Sequence, residues 1–150
     1  MIKDKKQYIE TLGVQLEKMG RTPMEGRVFA TLLIANPPET SFDELVEFLQ
    51  ASKSAVSNAL KKLQMEGSVK YITKSGDRKR YFIVDTANWQ NQLKDSAKNF
   101  SAFNQFLLEI NDYRSSLNSE AFNAELKKIL DFQLFISMRF EEAIAEWNNK

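Results

Sequence analysis

The chain of 150 residues is 43% hydrophobic and 27% charged, a composition typical of globular proteins, and its formal net charge is +1. It contains neither cysteine nor histidine, which excludes disulfides and leaves no zinc site of the usual kind, no Cys–His pair and no Ser–His–Asp triad. No apolar run reaches the roughly 18 residues that span a bilayer, and the start, MIKDKKQYIE, lacks the apolar stretch of a secretory signal. We therefore expect a cytoplasmic protein that is not an enzyme, uses no cofactor or metal, and does not enter a membrane.

Two amphipathic helices are predicted before residue 40. Apolar side chains recur at a spacing of three and four up to Gly20, which predicts a first helix within residues 1–20. Its inward-facing residues would be Ile9, Leu12, Leu16 and Met19. A second helix is predicted from Met24 to about Ala35, because the following Asn36-Pro37-Pro38 cannot continue it.

The next segment has the pattern of two helices joined by a short turn. Ser41 followed by Glu44 is a capping box that begins the first of them. Gln50-Ala51 supplies the turn, and Ser52 is the predicted N-cap of a second helix that runs to about Glu66. The buried positions would be Phe42, Leu45, Val46 and Leu49 in the first helix and Val56, Ala59, Leu60 and Leu63 in the second. This arrangement is typical of a helix-turn-helix.

A two-stranded hairpin is predicted directly after these helices. Val69–Thr73 and Arg80–Val84 are rich in β-branched and aromatic residues and flank the turn sequence Ser75-Gly76-Asp77. The basic residues expected around its tip are Lys74, Arg78, Lys79 and Arg80. Basic residues at a hairpin tip often serve only to prevent other chains from pairing with the sheet edge. The hairpin suggests a wing because it directly follows a helix-turn-helix.

Positive charge is concentrated in this region of the chain. Residues 53–84 carry eight basic and two acidic side chains, a net charge of +6, whereas residues 1–52 carry −2 and residues 85–150 carry −3. A local basic surface on a nearly neutral protein indicates nucleic-acid binding.

The final third is predicted to form two long helices with a break near Ser115–Ser119. Apolar residues recur at heptad-like spacing from Trp89 to Ile110 and again from Phe122 to Trp147. One small winged domain cannot cover these stripes as well as that of the N-terminal helix, so we expect a homodimer. The predicted organisation is a dimerisation helix in residues 1–20, a DNA-binding domain in 21–86 and a helical dimerisation region in 87–150.

The outward face of the second helix of the helix-turn-helix supplies candidate DNA contacts. Such a helix presents its N-terminal part to the major groove, where Asn58 would pair with adenine. The other candidates on this helix are Lys53, Ser54 and Ser57 for bases or phosphates and Lys61 and Lys62 for phosphates. The wing candidates are Lys74, Arg78, Lys79 and Arg80, which would contact the minor groove or the flanking backbone. The alternative for the helix is an ordinary solvated polar face.

The segment from Gly26 to Val84 resembles the winged helix-turn-helix core of the MarR superfamily, and SKSAVSNALKKL followed by GDRKRYF is most similar to its GbsR-like branch. The resemblance implies a dimeric bacterial transcription regulator, usually a repressor, and in many members a small molecule releases the DNA. It also implies recognition-helix and wing roles for Lys53, Ser54, Ser57, Asn58, Arg78, Lys79 and Arg80. Gln50-Ala51 departs from the Gly or Asn that relatives often carry at the turn.

Members of the GbsR-like branch are associated with choline or betaine sensing, and aromatic cages bind quaternary ammonium groups. Aromatic residues are frequent in the last third of this chain, which is compatible with such a cage. However, Phe100, Phe103, Phe140 and Trp147 lie on the heptad stripes, where helix packing also accounts for them. The sequence therefore identifies no effector.

These patterns predict a mainly α (α+β) fold, a winged helix-turn-helix with a two-stranded β wing, flanked by N- and C-terminal dimerisation helices. The predicted function is that of a dimeric, sequence-specific repressor that binds double-stranded DNA and is relieved by a small-molecule effector of unknown identity. The alternatives are a winged-helix protein–protein interaction module and an accessory regulator that does not read an operator directly.

Overall fold

The structure is a computed structural model that describes residues 4–150. Residues 1–3, which belong to the predicted N-terminal helix and to the segment MIKDKKQYIE, lie outside the described residues. The elements in chain order are α1 (Lys5–Lys18), α2 (Pro23–Leu33), β1 (Thr40–Ser41), α3 (Phe42–Leu49), α4 (Lys53–Met65), β2 (Val69–Ile72), β3 (Tyr81–Val84), α5 (Trp89–Arg114) and α6 (Glu120–Asn148). The chain divides into two compact units, one that ends at Trp89 and one from Gln90 to Lys150. Within residues 4–150, no helix has the length and apolarity that a membrane crossing requires.

Side-chain caps fix where the helices of the first unit begin. The Ser41 hydroxyl accepts a hydrogen bond from the Glu44 amide at 3.3 Å, and the Glu44 carboxylate accepts one from the Ser41 amide at 2.8 Å, which confirms the predicted capping box. Ser52 accepts from the amide of Ala55 at 3.2 Å and thereby caps α4, as predicted. A second capping box, between Thr22 and Glu25, begins α2 and was not predicted. These bonds satisfy amides that the first turn of a helix leaves without partners.

Helices α1 and α2 approach each other closely where two glycines meet. A Cβ atom on Gly26 would lie 2.9 Å from the backbone oxygen of Gly13, so a side chain cannot be accommodated there without movement. Arg27 joins the two helices through Glu10 and Glu17, each at 2.8 Å. The prediction that Met19 faces inward was wrong, because this residue caps the C-terminus of α1 and is 80% exposed.

The core of the first unit is formed by the apolar faces of α2, α3 and α4 together with the sheet. Its buried residues are Val28, Leu32, Phe42, Leu45, Val56, Ala59, Leu60, Leu63, Val69 and Phe82. All four predicted buried positions of α4 are among them, and the predicted positions Val46 and Leu49 of α3 pack against the cluster while remaining partly exposed. The helical spacing therefore placed the correct face of α4 inward.

The sheet contains three antiparallel strands in the order β1-β3-β2, one more than the predicted hairpin. Strand β3 pairs with β2 from Val69↔Val84 to Ile72↔Tyr81 and with β1 at Thr40↔Phe82 and Ser41↔Tyr81. The predicted two-stranded wing is present, but β3 is the central strand rather than an edge. The added strand has only two residues, which is too short for alternation to be visible in the sequence.

The second unit consists mainly of the two long helices, with their break at residues 115–119 as predicted. Asn104 of α5 is 1% exposed, and its side-chain amide donates to the backbone oxygen of Gln133 in α6 at 3.3 Å. Near the connection, the Arg114 guanidinium donates to the side-chain oxygen of Asn123 at 3.0 Å. Large apolar residues remain exposed on both helices in the single chain: Leu93, Phe103, Phe106, Tyr113, Phe122, Ile129, Phe132, Phe135, Ile136, Met138 and Trp147.

Candidate nucleic-acid interface

Helix α4 turns one polar face to solvent over its whole length. The buried residues Val56, Ala59, Leu60 and Leu63 fix the orientation of the helix against the core. The six side chains predicted to contact DNA on this helix are all exposed: Lys53, Ser54, Ser57, Asn58, Lys61 and Lys62. The structure therefore brings these residues together on one surface.

The turn before α4 determines how its first residues are presented. Gln50 has a left-handed backbone conformation, with φ 48° and ψ 40°, at the end of α3. A non-glycine residue adopts this conformation at some cost in free energy, so the departure seen in the sequence is accommodated without a change of fold. After the turn, the Ser52 and Ser54 hydroxyls lie 3.2 Å apart at the exposed N-terminus of α4.

The three lysines of α4 differ in their partners. Lys53 and Lys61 form no ion pair with another of the residues 4–150. Lys62 instead lies 3.8 Å from Glu25, whose carboxylate is almost completely buried. The charge of Lys62 is therefore partly balanced within the protein, which leaves it less available to a phosphate than the sequence suggested.

The wing projects as an eight-residue loop, residues 73–80, between β2 and β3. A turn forms around Ser75-Gly76, where the amide of Asp77 donates to the backbone oxygen of Lys74 at 3.1 Å and Gly76 has φ 79°. The Asp77 carboxylate accepts from the Lys79 amide at 2.9 Å and from the Tyr81 hydroxyl at 2.7 Å. Both bonds lower the pKa of Asp77, and the pKa of Tyr81 is raised mainly because its hydroxyl donates a hydrogen bond to Asp77 that ionisation would remove, with a smaller contribution from the negative charge of Asp77.

The four basic residues of the wing fall into two groups. Lys74 donates to the Glu39 carboxylate at 2.7 Å, and its ammonium lies 4.3 Å from the ring centroid of Tyr81. Arg80 is not at the tip as predicted, since its guanidinium stacks 4.6 Å from the ring centroid of Phe42 and its backbone oxygen accepts from the Phe42 amide at 2.9 Å. Arg78 and Lys79 are exposed and form no ion pair with another described residue.

Two residues that hold the wing loop, Glu39 and Tyr81, were missed by the sequence reasoning. Glu39 precedes β1 and is 35 positions from Lys74, so no local pattern relates the two. Tyr81 was assigned to a strand only for its aromatic side chain. Its hydroxyl group donates to Asp77, four positions earlier, at the end of a loop whose conformation cannot be predicted from the sequence.

Two aromatic rings of the second unit lie close to arginines of the same unit. Phe122 and Phe135 each have an arginine of the protein itself over the ring, Arg114 at 4.4 Å and Arg139 at 5.5 Å from the centroid. Phe103 and Trp147 are about half exposed. Within residues 4–150 no group of acidic side chains is arranged to hold a metal ion.

Comparisons with known proteins identify a transcriptional regulator of similar sequence and a solved structure of similar fold. No family model matches the chain. It is 30% identical over 76 residues to the HTH-type transcriptional regulator MmpR5 of Mycobacterium tuberculosis (strain ATCC 25618 / H37Rv), a match that covers 51% of this chain and 46% of that protein. The chain thus matches about half the length of this curated relative.

Among solved structures, one crystal structure of a transcriptional regulator superposes on 99% of this chain and 100% of its own, with a TM-score of 0.73 and 18% identity. The two proteins therefore share a fold. MepR, a transcription regulator of the Staphylococcus aureus multidrug efflux pump MepA, covers 84% of this chain and 90% of its own at 18% identity, but its TM-score of 0.45 is too low to support an inference. The fold itself is a winged helix-turn-helix with additional helices.

Proposed function

We propose that this protein is a MarR-like regulator of transcription that binds double-stranded DNA as a homodimer and has no enzymatic activity. The observation that carries the proposal is the exposed face of α4, on which three lysines, two serines and Asn58 lie together, in a helix that the basic wing follows in the chain. A helix-turn-helix followed by a basic wing is suited to contact a major groove and the adjacent backbone at the same time. The 30% identity to a transcriptional regulator supports the same function.

Within this function, Asn58 is the residue best suited to read a base. Its side chain is exposed on the N-terminal half of α4, and an amide can both donate to and accept from the edge of adenine in the major groove. Lys53, Ser54, Ser57 and Lys61 surround it and would supply contacts to bases or phosphates. The proposed division is therefore that Asn58 selects the sequence and the lysines supply affinity.

The homodimer is proposed from the apolar surface of the second unit. Phe122, Ile129, Ile136 and Trp147 are spaced along one side of α6, and all are exposed in the single chain. Soluble monomers rarely expose so much contiguous apolar surface, whereas a second copy would cover it. Two recognition helices related by a two-fold axis would enter successive major grooves about 34 Å apart on a pseudo-palindromic site.

Repression, a small-molecule effector, the GbsR-like branch and a cytoplasmic location are finer parts of the same proposal. They are supported by the resemblance of SKSAVSNALKKL and GDRKRYF to that branch. The division into an N-terminal dimerisation helix, a DNA-binding domain in 21–86 and a dimerisation region in 87–150 is proposed from the helical spacing of the apolar residues and from the basic charge of residues 53–84.

A selection from randomised duplex DNA, followed by gel shift at moderate salt, tests the function. Wild-type protein should enrich a palindromic site. Asn58→Ala should lose about 1–3 kcal/mol of discrimination at one base pair in each half-site. Asn99→Ala, which removes the same exposed side chain from α5, is the matched control and should keep the wild-type preference. Failure of the wild type to bind any duplex would favour a protein–protein interaction module, and an unchanged preference of Asn58→Ala would remove Asn58 from base reading.

Sedimentation of the full chain tests the dimer. Ile136→Glu places a charge on the proposed interface and should convert a dimer to a monomer. Met138→Glu is the control, because Met138 is similarly exposed but lies on a different side of α6 by helical spacing. Equal sedimentation of the two variants would contradict the assigned interface.

A further inference from the structure

We propose that the Tyr81 hydroxyl is a positioning group that holds the wing loop in the conformation in which Arg78 and Lys79 contact DNA. This inference rests on the proposed function and goes beyond it, since Tyr81 would act on affinity without itself contacting the nucleic acid. It concerns a residue that is not among the DNA contacts predicted from the sequence.

The loop needs such a device because of its length and composition. Residues 73–80 contain eight residues outside the β2–β3 pairing, among them a serine and a glycine. A loop of this kind that is free in solution loses conformational entropy when a ligand fixes it, which weakens binding. Internal bonds that order the loop beforehand remove part of that cost.

Asp77 and Tyr81 supply these bonds at the end of the loop. The carboxylate of Asp77 accepts from the Lys79 amide at 2.9 Å and from the Tyr81 hydroxyl at 2.7 Å. Tyr81 is the first residue of β3 and pairs with both Ile72 and Ser41, so its position is fixed by the sheet. The hydroxyl therefore joins a loop carboxylate to a fixed strand, and that carboxylate holds the backbone between Arg78 and Lys79.

The Tyr81 ring takes part in a second anchor. Lys74 lies 4.3 Å from the ring centroid and donates to Glu39 at 2.7 Å, which connects the start of the loop to the segment before β1. The ammonium of Lys74 is thereby compensated inside the protein, and a cation over an aromatic ring is attracted to its face. Lys74 holds the loop, and the exposed charges of Arg78 and Lys79 remain for phosphates.

The experiment compares Tyr81→Phe with Tyr71→Phe, using the full chain and the duplex that the selection enriches. Each variant removes one hydroxyl and no charge, and Tyr71 lies exposed on the neighbouring strand β2. Affinity is measured over a range of salt concentrations. We expect Tyr81→Phe to bind about 3- to 10-fold more weakly, as for the loss of a hydrogen bond to a charged group at an exposed site, with an unchanged slope of log K against log salt. Tyr71→Phe should bind as the wild type does.

Wild-type affinity in Tyr81→Phe would overturn the inference, and so would a shallower salt slope, which would mean that the hydroxyl belongs to a phosphate contact. A second measurement does not depend on DNA binding. In the free protein, backbone ¹⁵N relaxation should show an ordered Lys79 amide in the wild type and in Tyr71→Phe, and a more mobile one in Tyr81→Phe. A wild type that binds no DNA would refute the proposed function, whereas equal Lys79 mobility in all three proteins would refute the positioning role alone.

Discussion

The proposed contact between the wing and DNA predicts a change in salt dependence when two charges are removed together. Arg78 and Lys79 are exposed and form no ion pair with another described residue, whereas Arg80, which also forms none, lies over the ring of Phe42. Arg78 and Lys79 are therefore the wing cations best placed to contact phosphates. The double variant Arg78→Ala/Lys79→Ala should therefore release fewer counterions when it binds. Each phosphate contact contributes about 0.9 to the slope of log K against log salt, and the proposed homodimer carries two wings, so the loss of two contacts per protomer should lower the slope by about 3.6.

This slope has a measurable consequence for affinity. Between about 50 and 200 mM salt, a difference of about 3.6 in slope changes the ratio of wild-type to variant affinity roughly 150-fold. The wild type should bind much better at low salt, and the two proteins should converge as salt is added. Fluorescence anisotropy with a labelled duplex at five or six salt concentrations would resolve the effect.

The matched control removes two charges elsewhere. Lys127→Ala/Lys128→Ala changes the net charge equally, and both lysines are exposed on α6, where they pair with Asp131 and Glu125. This variant should keep the wild-type slope. Equal slopes of log K against log salt for the wild type and Arg78→Ala/Lys79→Ala would refute the assignment of phosphate contacts to the wing. An equal change in slope in both double variants would refute it as well.

Three further predictions concern the stability of the first unit. Leu60→Ala removes a side chain that is 2% exposed in the core and should lower the free energy of unfolding by about 2–5 kcal/mol in urea denaturation; a loss well below 1 kcal/mol would contradict its central place. Gly26→Ala brings a Cβ to within 2.9 Å of the Gly13 backbone and should cost about 1–3 kcal/mol. Gly13→Ala would meet Cγ of Arg27 at 3.3 Å, a milder crowding than the backbone contact of Gly26, and should cost less, so the opposite order in thermal denaturation would disprove the close backbone approach. Finally, hydrogen bonds from Ser41 lower the pKa of Glu44, so the stability that this carboxylate confers is present above its unfolded pKa of about 4.3 and is lost as the pH falls through its folded value. Ser41→Ala should cost about 1 kcal/mol at pH 7 and make the loss of stability below pH 5 shallower, and acid-unfolding curves of identical shape would count against this.

The helix-turn-helix could be predicted from the sequence because its determinants are local. The capping box of Ser41 and Glu44 and the N-cap Ser52 act within four residues of each helix start, and the structure contains both. The buried positions of α4 follow from helical periodicity alone, since a helix against one core has one inward face. The outward face of α4 was thereby determined as well.

The parts that could not be predicted depend on contacts between distant residues. Strand β1 has two residues and is stabilised by pairing with β3, about 40 positions later. The partners of Lys74 and Lys62 are likewise remote in sequence, so both residues looked like free cations. The heptad stripes predicted the two long helices correctly, but Phe103 and Trp147 are exposed in the single chain, and helical spacing alone does not tell which apolar residues a neighbouring helix covers.

The central position of β3 has a consequence for mutational scanning of this protein. On one edge, β3 pairs with β1 through Phe82 and Tyr81, and β1 leads directly into the cap of α3. On the other edge it pairs with β2, and the wing loop connects these two strands. A disruptive substitution in β3 would displace the helix-turn-helix and the wing in the same event. A mutational scan that measures DNA binding should therefore show as large a loss of binding at Phe82 as at a residue that contacts a phosphate, although Phe82 is buried in the core and carries no charge. Only a parallel scan for folded protein would separate the two kinds of position.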